Sequence, residues 1–479
     1  MSVLDGVGAF LKATFITKVL SLLAQIVLGI YLSQEAFGVY GIVLSLTVFT
    51  NCFGGGILQK VLVQKGKSFN SHYKYVPIAV IFSLVSFFIL IAISWLPRLI
   101  DSSKWTLFFL IFIVALAGIA QCLVPIQKAV LLSASKFKDV AETETLISGL
   151  THICTIPLCL MGFGPYSFVA HKPLLHVYEF FKYNKILRSL GSRVVNLPRV
   201  DELKSINFIE VFKEFKWLFL GAFFTAFVIK GDYLVLSYFV EIKLVGIYFF
   251  SYQLSFSVAN LFTASILNNV LLPEFSNQKS TAKKNEYLAK SLAIFVIIFS
   301  PLFFILGNLS GGMIEFIWGN KWLESILPVK LLLFVMPLRM ITPLLRVYLE
   351  SQGKWRTSAI LTGVSSIGLL IACIIGGYSN TIEGIAISIA SWFGLLGLIS
   401  FALIIRQIEP LFLKVRLILI VISTAVILFL AHKYFPGNVT AHLFLLMGLS
   451  IANTYIVFDL VGPVCDAVKA KLSFFKNNF

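Results

Sequence analysis

Arg339, Thr342, Arg346 and Glu350 follow one another at spacings of three, four and four residues, and Thr14, Lys18, Ser21 and Gln25 at four, three and four. Either row falls on one face of a helix. Both lie inside long apolar stretches. An ionisable group at the centre of a bilayer costs about 2.5–3.5 kcal/mol on insertion scales, so the ones a chain keeps there face a cavity or a partner. The chemistry on offer is the polar lining of a cavity within a membrane. Covalent catalysis is not indicated, since no paired carboxylates and no nucleophile–base constellation stand at a workable spacing.

Arg339 is the strongest single candidate. It lies near the middle of its stretch between Pro337 and Pro343, where backbone groups released by proline need other partners. Lys12, Lys18 and Gln25 are the candidates on the first stretch. Lys128 and Arg346 have two readings, as cavity residues or as long cations reaching the cytoplasmic interface. Lys172, His176 and Glu179 share a face close to His171; they line a cavity or mark the early end of their span. Lys230 and Asp232, two apart, point to different faces, and Asp232 either pairs with a cation, binds a coupling ion or caps the outward end of its helix. Glu179 and Glu350 are the other carboxylates open to a coupling proton or sodium ion. No other cofactor and no metal is expected. Cys52, Cys122, Cys154, Cys159, Cys373 and Cys465 show no CxxC spacing. Gly54-Gly55-Gly56 lacks the sequel that a phosphate-binding loop requires and reads as close packing or bending.

The elements that must hold these residues are membrane-spanning helices. Of 479 residues, 58% are hydrophobic and 13% charged, against about 25% charged in soluble domains. Stretches of about 20 apolar residues cross a bilayer core as helices, and about fourteen of them can be drawn between residues 9 and 462. The fifth and sixth, near 144–161 and 163–182, are crowded and contain Glu144, His152 and His171. The fold class expected is all-α integral membrane. The chain divides into an N-terminal lobe of six spans over 1–182, a linker over 183–215, a C-terminal lobe of six spans over 216–405, and two further spans with a tail over 406–479. In the linker, Phe208, Ile209, Phe212 and Phe215 suit either an amphipathic surface helix or a simple tether.

The net charge of +17 would suit nucleic acid if it were gathered on one domain or stripe, and it is not. With the N-terminus inside, 32 of the 39 Lys and Arg fall on one side; Arg98, Lys104, Lys243, Lys321, Lys330 and Lys433 fall on the other, and Lys230 within a span. Short cytoplasmic loops are the ones enriched in Lys and Arg, so both termini are expected in the cytoplasm. The first apolar stretch is too long for a signal peptide and carries Lys12 and Lys18, so the N-terminus is expected to be retained. Asn308-Leu309-Ser310 and Asn438-Val439-Thr440 match the glycosylation pattern and fall outside in this topology.

The chain also echoes itself. PIQKAVLLSASKFK at 125–138 and PLLRVYLESQGKWR at 343–356 share four of fourteen residues, and Gly38-Val39-Tyr40 aligns with Gly246-Ile247-Tyr248 at an offset of 208. Each pair is six spans apart. An even number keeps both copies running in the same direction, so the lobes are expected to be related by a pseudo-twofold axis along the membrane normal. Parallel repeats of this kind recur in transporters that hold substrate between two halves and expose it alternately.

These stretches, with LSQEAFGVYGIVLSL after the first span and KGDYLVLSYFVEIKLVGIYFFSYQLS at the seventh, resemble those of Wzx-type polysaccharide-export flippases. That family belongs to the multidrug/oligosaccharidyl-lipid/polysaccharide superfamily, and the resemblance covers essentially the whole chain. It implies a V-shaped, two-lobed helical fold that moves an undecaprenyl-diphosphate-linked oligosaccharide, an O-antigen or capsule repeat unit, across the bacterial inner membrane by alternating access. It implies a cationic cavity for the diphosphate and sugars. Lys12 and Lys18 are similar in placement to basic cavity residues of the lipid II flippases, and Arg339 and Arg346 supply charge from the second lobe. The implied partners are the lipid-linked oligosaccharide, membrane lipids, and a polysaccharide polymerase with its chain-length regulator. Spans two and eight bring Asn51, Ser251 and Ser255 where lipid II flippases carry arginine. The rival readings are a lipid II flippase; a multidrug or cation antiporter, disfavoured by Lys12 and Lys18; and an integral polysaccharide polymerase, disfavoured by the short outward loops.

Overall fold

The computed structural model of the chain describes residues 3–51, 75–94, 104–134, 136–190, 220–263 and 280–408, with a few single positions elsewhere. Every regular element among them is a helix. In chain order they are α1 (Val3–Tyr31), α2 (Gln34–Asn51), α3 (Val76–Ser94), α4 (Lys104–Gln121), α5 (Val124–Ser133), α6 (Phe137–Leu160) and α7 (Lys172–Ser189). Then come α8 (Leu220–Phe239), α9 (Ile242–Thr263), α10 (Thr281–Ile294), α11 (Ser300–Trp318), α12 (Ile326–Ser351), α13 (Trp355–Tyr378) and α14 (Ile382–Gln407). Six runs among the described residues are long and apolar enough to cross a membrane, Thr106–Leu132 joining α4 to α5. The chain is an all-helical, multi-pass membrane protein. The Gly54-Gly55-Gly56 stretch, the linker residues 208–215, Asn438 and the last two expected spans lie outside the described residues.

Prolines and glycines set the boundaries. Pro125 and Pro173 sit in the first turns of α5 and α7, where a missing N–H costs nothing. Gly162, Gly164, Gly319 and Gly353 take positive φ where α6, α11 and α12 end, a conformation open to glycine without a Cβ penalty. The crowded region resolves accordingly: α6 starts at Phe137, ahead of the expected 144, and α7 starts at Lys172, behind the expected 163. The polar residues of α6 do not break it because Thr143, Thr145, Thr151 and Thr155 each donate to the carbonyl four residues back. Asn308, expected in an outward loop, lies inside α11 and donates to Phe304 O; the apolar run continues past it to Trp318, so this sequon is helical and not a loop acceptor.

The chain forms two compact units, Met1–Phe250 with Trp355–Ile385, and Ser251–Lys354 with Ala386–Phe479. In the first, α1 runs along α6, α7 packs on α4, α5 and α6, and α8 lies against α2 and α13. A core of Ala79, Val124, Ala129, Val130, Leu131, Tyr183 and Leu187 closes the α5–α7 contact. In the second, α12 packs on α10 and α11, and Gly397 of α14 sits against the Leu338 backbone of α12.

Candidate functional site

Arg339 is carried by α12 between its two internal prolines and is 9% exposed. Pro343 cannot donate to the Arg339 carbonyl, and α14 comes close one residue before it: Thr342 Oγ1 lies 2.9 Å from Ser400 Oγ. Small Gly394 and Gly397 let α14 approach and so bring Phe393 to the guanidinium, its carbon 4.1 Å from the ring centre. From α9, Phe256 and Tyr252 present rings at 4.6 and 5.0 Å, and Tyr252 Oη accepts a hydrogen bond from Nη2. Nη1 is buried without a hydrogen-bond partner, and no carboxylate pairs with Arg339 among the described residues.

The energies account for a stable buried cation. A desolvated cation–ring contact is worth up to about 2 kcal/mol and a hydrogen bond to a charged group about 1.5–3 kcal/mol, enough to meet an insertion cost of about 2.5–3.5 kcal/mol. None of these contacts cancels the charge. Arg339 is held in place by groups that leave it positive.

Lys128 is treated in the opposite way. Its Nζ lies 3.2 Å from Glu144 Oε1 and 3.1 Å from Glu179 Oε1, and 5.8 Å from the centre of the Tyr183 ring. Glu179 is buried, and its other oxygen lies 3.2 Å from His176 Nδ1. Three helices, α5, α6 and α7, each supply part of this cluster. Around Lys128 the anions outnumber the cation.

A third buried group sits in α8, where a π-helical turn, Phe227–Gly231, precedes Asp232; such turns widen a helix locally and recur at functional sites. The Lys230 carbonyl accepts from Ser45 Oγ of α2. Its ammonium lies 5.4 and 5.5 Å from the rings of Tyr233 and Phe249. Asp232 is fully buried and accepts from Tyr248 Oη at 2.8 Å and from the Tyr233 N–H at 3.0 Å.

The remaining candidates are spread out. Arg346 Nε is 3.7 Å from Glu350 Oε1 one turn along α12. Lys172 opens α7 with its ammonium 5.5 Å from the Tyr40 ring, which is stacked on Phe168. Gln25 is half-buried on α1, while the side chains of Lys12 and Lys18 lie outside the described residues. Ser251 and Ser255 donate at 3.4 Å to Ser325 O and Val329 O, which spends them on helix packing. Sequence reasoning did not find Tyr252, Phe256 and Phe393. The first two were open to discovery as an aromatic pair four apart on one helical face; Phe393 was not, since nothing local links it to Arg339.

A family profile described as "Polysaccharide biosynthesis protein" matches residues 27–327. Among solved structures the chain is similar to the lipid II flippase MurJ in its inward closed conformation, with a TM-score of 0.73 and 16% identity over 94% of this chain and 99% of that one. It is also similar to an outward-facing multidrug resistance MATE family transporter of the MOP superfamily, with a TM-score of 0.57 and 14% identity over 85% of this chain and 96% of that one. The Vibrio cholerae MATE transporter VcmN follows, with a TM-score of 0.56 and 10% identity over 86% and 97%. No curated protein matches the chain. At these identities the structural likeness is one of fold.

Proposed function

This chain belongs to the polysaccharide biosynthesis protein family, whose profile covers more than half its length, and from that premise we propose that it is a flippase for an undecaprenyl-diphosphate-linked oligosaccharide, an O-antigen or capsule repeat unit. It moves this cargo across the bacterial inner membrane by alternating access, with both termini in the cytoplasm, and delivers it to a polysaccharide polymerase and its chain-length regulator. The observation that carries the reading is Arg339: a buried guanidinium fixed by three rings, left with net positive charge and with a donor that no described residue accepts. A preorganised cation of this kind suits the diphosphate of a lipid carrier, because arginine presents paired donors to phosphate oxygens. A second reading, lipid II itself as cargo, is favoured by the higher TM-score with MurJ than with the MATE transporters.

The test is export of surface glycan from cells whose own copy is replaced by Arg339→Glu or Arg339→Lys. Arg339→Glu abolishes export and leaves lipid-linked repeat units inside, with the protein still present in the membrane. Normal glycan in that strain rejects the reading. Lysis with lipid II accumulation, in place of glycan loss, selects the second reading.

A further inference from the structure

The two kinds of contact around Arg339 do different things. Among the described residues its guanidinium makes one hydrogen bond, from Nη2 to Tyr252 Oη, while Phe393, Phe256 and Tyr252 present rings at 4.1, 4.6 and 5.0 Å. The pull of a ring on a cation is set by the distance to the ring centre and changes little as the guanidinium turns in its own plane. A hydrogen bond is directional and weakens steeply once its angle falls below about 120°. The rings therefore hold the charge, and the Tyr252 oxygen fixes which way the nitrogens point.

Tyr252 is placed for that task. Its side chain is 0% exposed against 9% for Arg339, so it cannot reach a cargo and acts only through the guanidinium. Its ring packs on Phe256 one turn along α9, with centres 5.2 Å apart. Ser251 and Ser255, before and after Tyr252 on α9, donate to Ser325 O and Val329 O at the start of α12, which ties α9 to the helix that carries Arg339. The pattern of bonding is also uneven. Buried polar groups are as a rule all hydrogen-bonded, and a hydroxyl that merely satisfied a buried cation would leave Nη1 as costly as before; here Nη2 is engaged and Nη1 is buried without a partner.

We propose that Tyr252 is the positioning residue of the Arg339 site: by taking Nη2 it locks the guanidinium in plane and holds Nη1 as the donor for an acceptor oxygen of the cargo. The part played toward cargo rests on the reading of Arg339 as a phosphate grip. The fixing of the guanidinium does not.

The test uses the full chain in lipid nanodiscs with isotope-labelled arginine, followed by magnetic resonance, and Arg339→Lys identifies the Arg339 signals. A guanidinium that turns freely about its Nε–Cζ bond averages its two terminal nitrogens into one signal; a fixed one shows two. The wild-type protein shows two and Tyr252→Phe shows one. Tyr348→Phe, which removes another buried tyrosine hydroxyl on α12, the one bonded to Asn285, keeps two. In the same nanodiscs, below the melting temperature of every variant, affinity for undecaprenyl diphosphate falls about tenfold or more in Tyr252→Phe, the loss expected of a hydrogen bond to a charged group. It is unchanged in Tyr348→Phe, and in an Arg339→Met background Tyr252→Phe has no further effect. One Arg339 signal in the wild-type protein, or two in Tyr252→Phe, overturns the proposal. Where Arg339→Met weakens binding, wild-type affinity in Tyr252→Phe overturns it as well, and so does an equal loss with and without Arg339. Two signals that merge in Tyr252→Phe, beside an affinity that ignores Arg339, reject the flippase reading and leave the hold of Tyr252 on Arg339 standing.

Discussion

Gly38 and Gly246 meet reciprocally: a Cβ on Gly38 would overlap the Ile242 carbonyl oxygen, and a Cβ on Gly246 would overlap the Gln34 carbonyl oxygen. Each oxygen belongs to the residue four positions before the facing glycine. Mutual contact of equivalent positions is what a two-fold axis produces, and Gly41 against Phe249 repeats the offset of 208 residues. The echo between Gly38-Val39-Tyr40 and Gly246-Ile247-Tyr248 thus records a backbone contact between α2 and α9 that only glycine permits.

Gly38→Ala and Gly246→Ala therefore push backbone against backbone. Each is expected to destabilise the protein by about 1–3 kcal/mol, the usual cost of overpacking, and Val by more. Gly41→Ala meets the Phe249 ring at 3.0 Å, which can turn aside, so its effect is smaller. Thermal unfolding in detergent, ranked across the three alanine variants, checks the order.

Lys128→Met leaves Glu179 and Glu144 facing each other without a cation. The expected loss is about 3–5 kcal/mol, as for other buried pairs broken on one side. Lys128→Met combined with Glu179→Gln costs less than the sum of the two single changes. A double-mutant cycle on unfolding free energy measures the coupling; strict additivity contradicts the contact.

Tyr252→Phe keeps a ring beside Arg339 and removes the acceptor of Nη2. The change costs about 1.5–3 kcal/mol, the range for a hydrogen bond to a charged group. In an Arg339→Met background the same change is close to neutral. Comparing the melting temperatures of the four proteins separates the hydrogen bond from the ring contact.

Tyr248→Phe takes from the buried Asp232 a donor at 2.8 Å. About 1–3 kcal/mol of stability is lost, and the loss is smaller when Asp232→Asn is already present. Equilibrium unfolding of the single and double variants provides the check.

Orientation is testable with single cysteines in the two short turns that flank α13. Ser379→Cys reacts with a membrane-impermeant maleimide in intact spheroplasts, and Gln352→Cys reacts only after permeabilisation. The reverse pattern inverts the topology that the Lys and Arg distribution implies.

Much of this was open to reading in the sequence. Apolar runs become helices because a bilayer gives backbone groups no other partner, and prolines and glycines mark where the helices stop. The crowded 141–182 region was less legible: threonines that satisfy their hydroxyls on the preceding turn look polar in sequence and behave as helix interior in α6. The two echoing tyrosines mark another limit. Tyr40 offers its ring face to Lys172, whereas Tyr248 offers its hydroxyl to Asp232, so equal positions in the repeat serve different neighbours.

By itself the sequence determined that this chain crosses a membrane as helices and that Lys128 and Arg339 remain within apolar helices. Only the tertiary structure decided what those two cations are: one outnumbered by Glu144 and Glu179, the other enclosed by Tyr252, Phe256 and Phe393 and still positive. The reason is range. Hydropathy and helical periodicity are properties of one segment, while the state of a buried charge depends on groups within a few ångströms that other helices bring from distant parts of the chain.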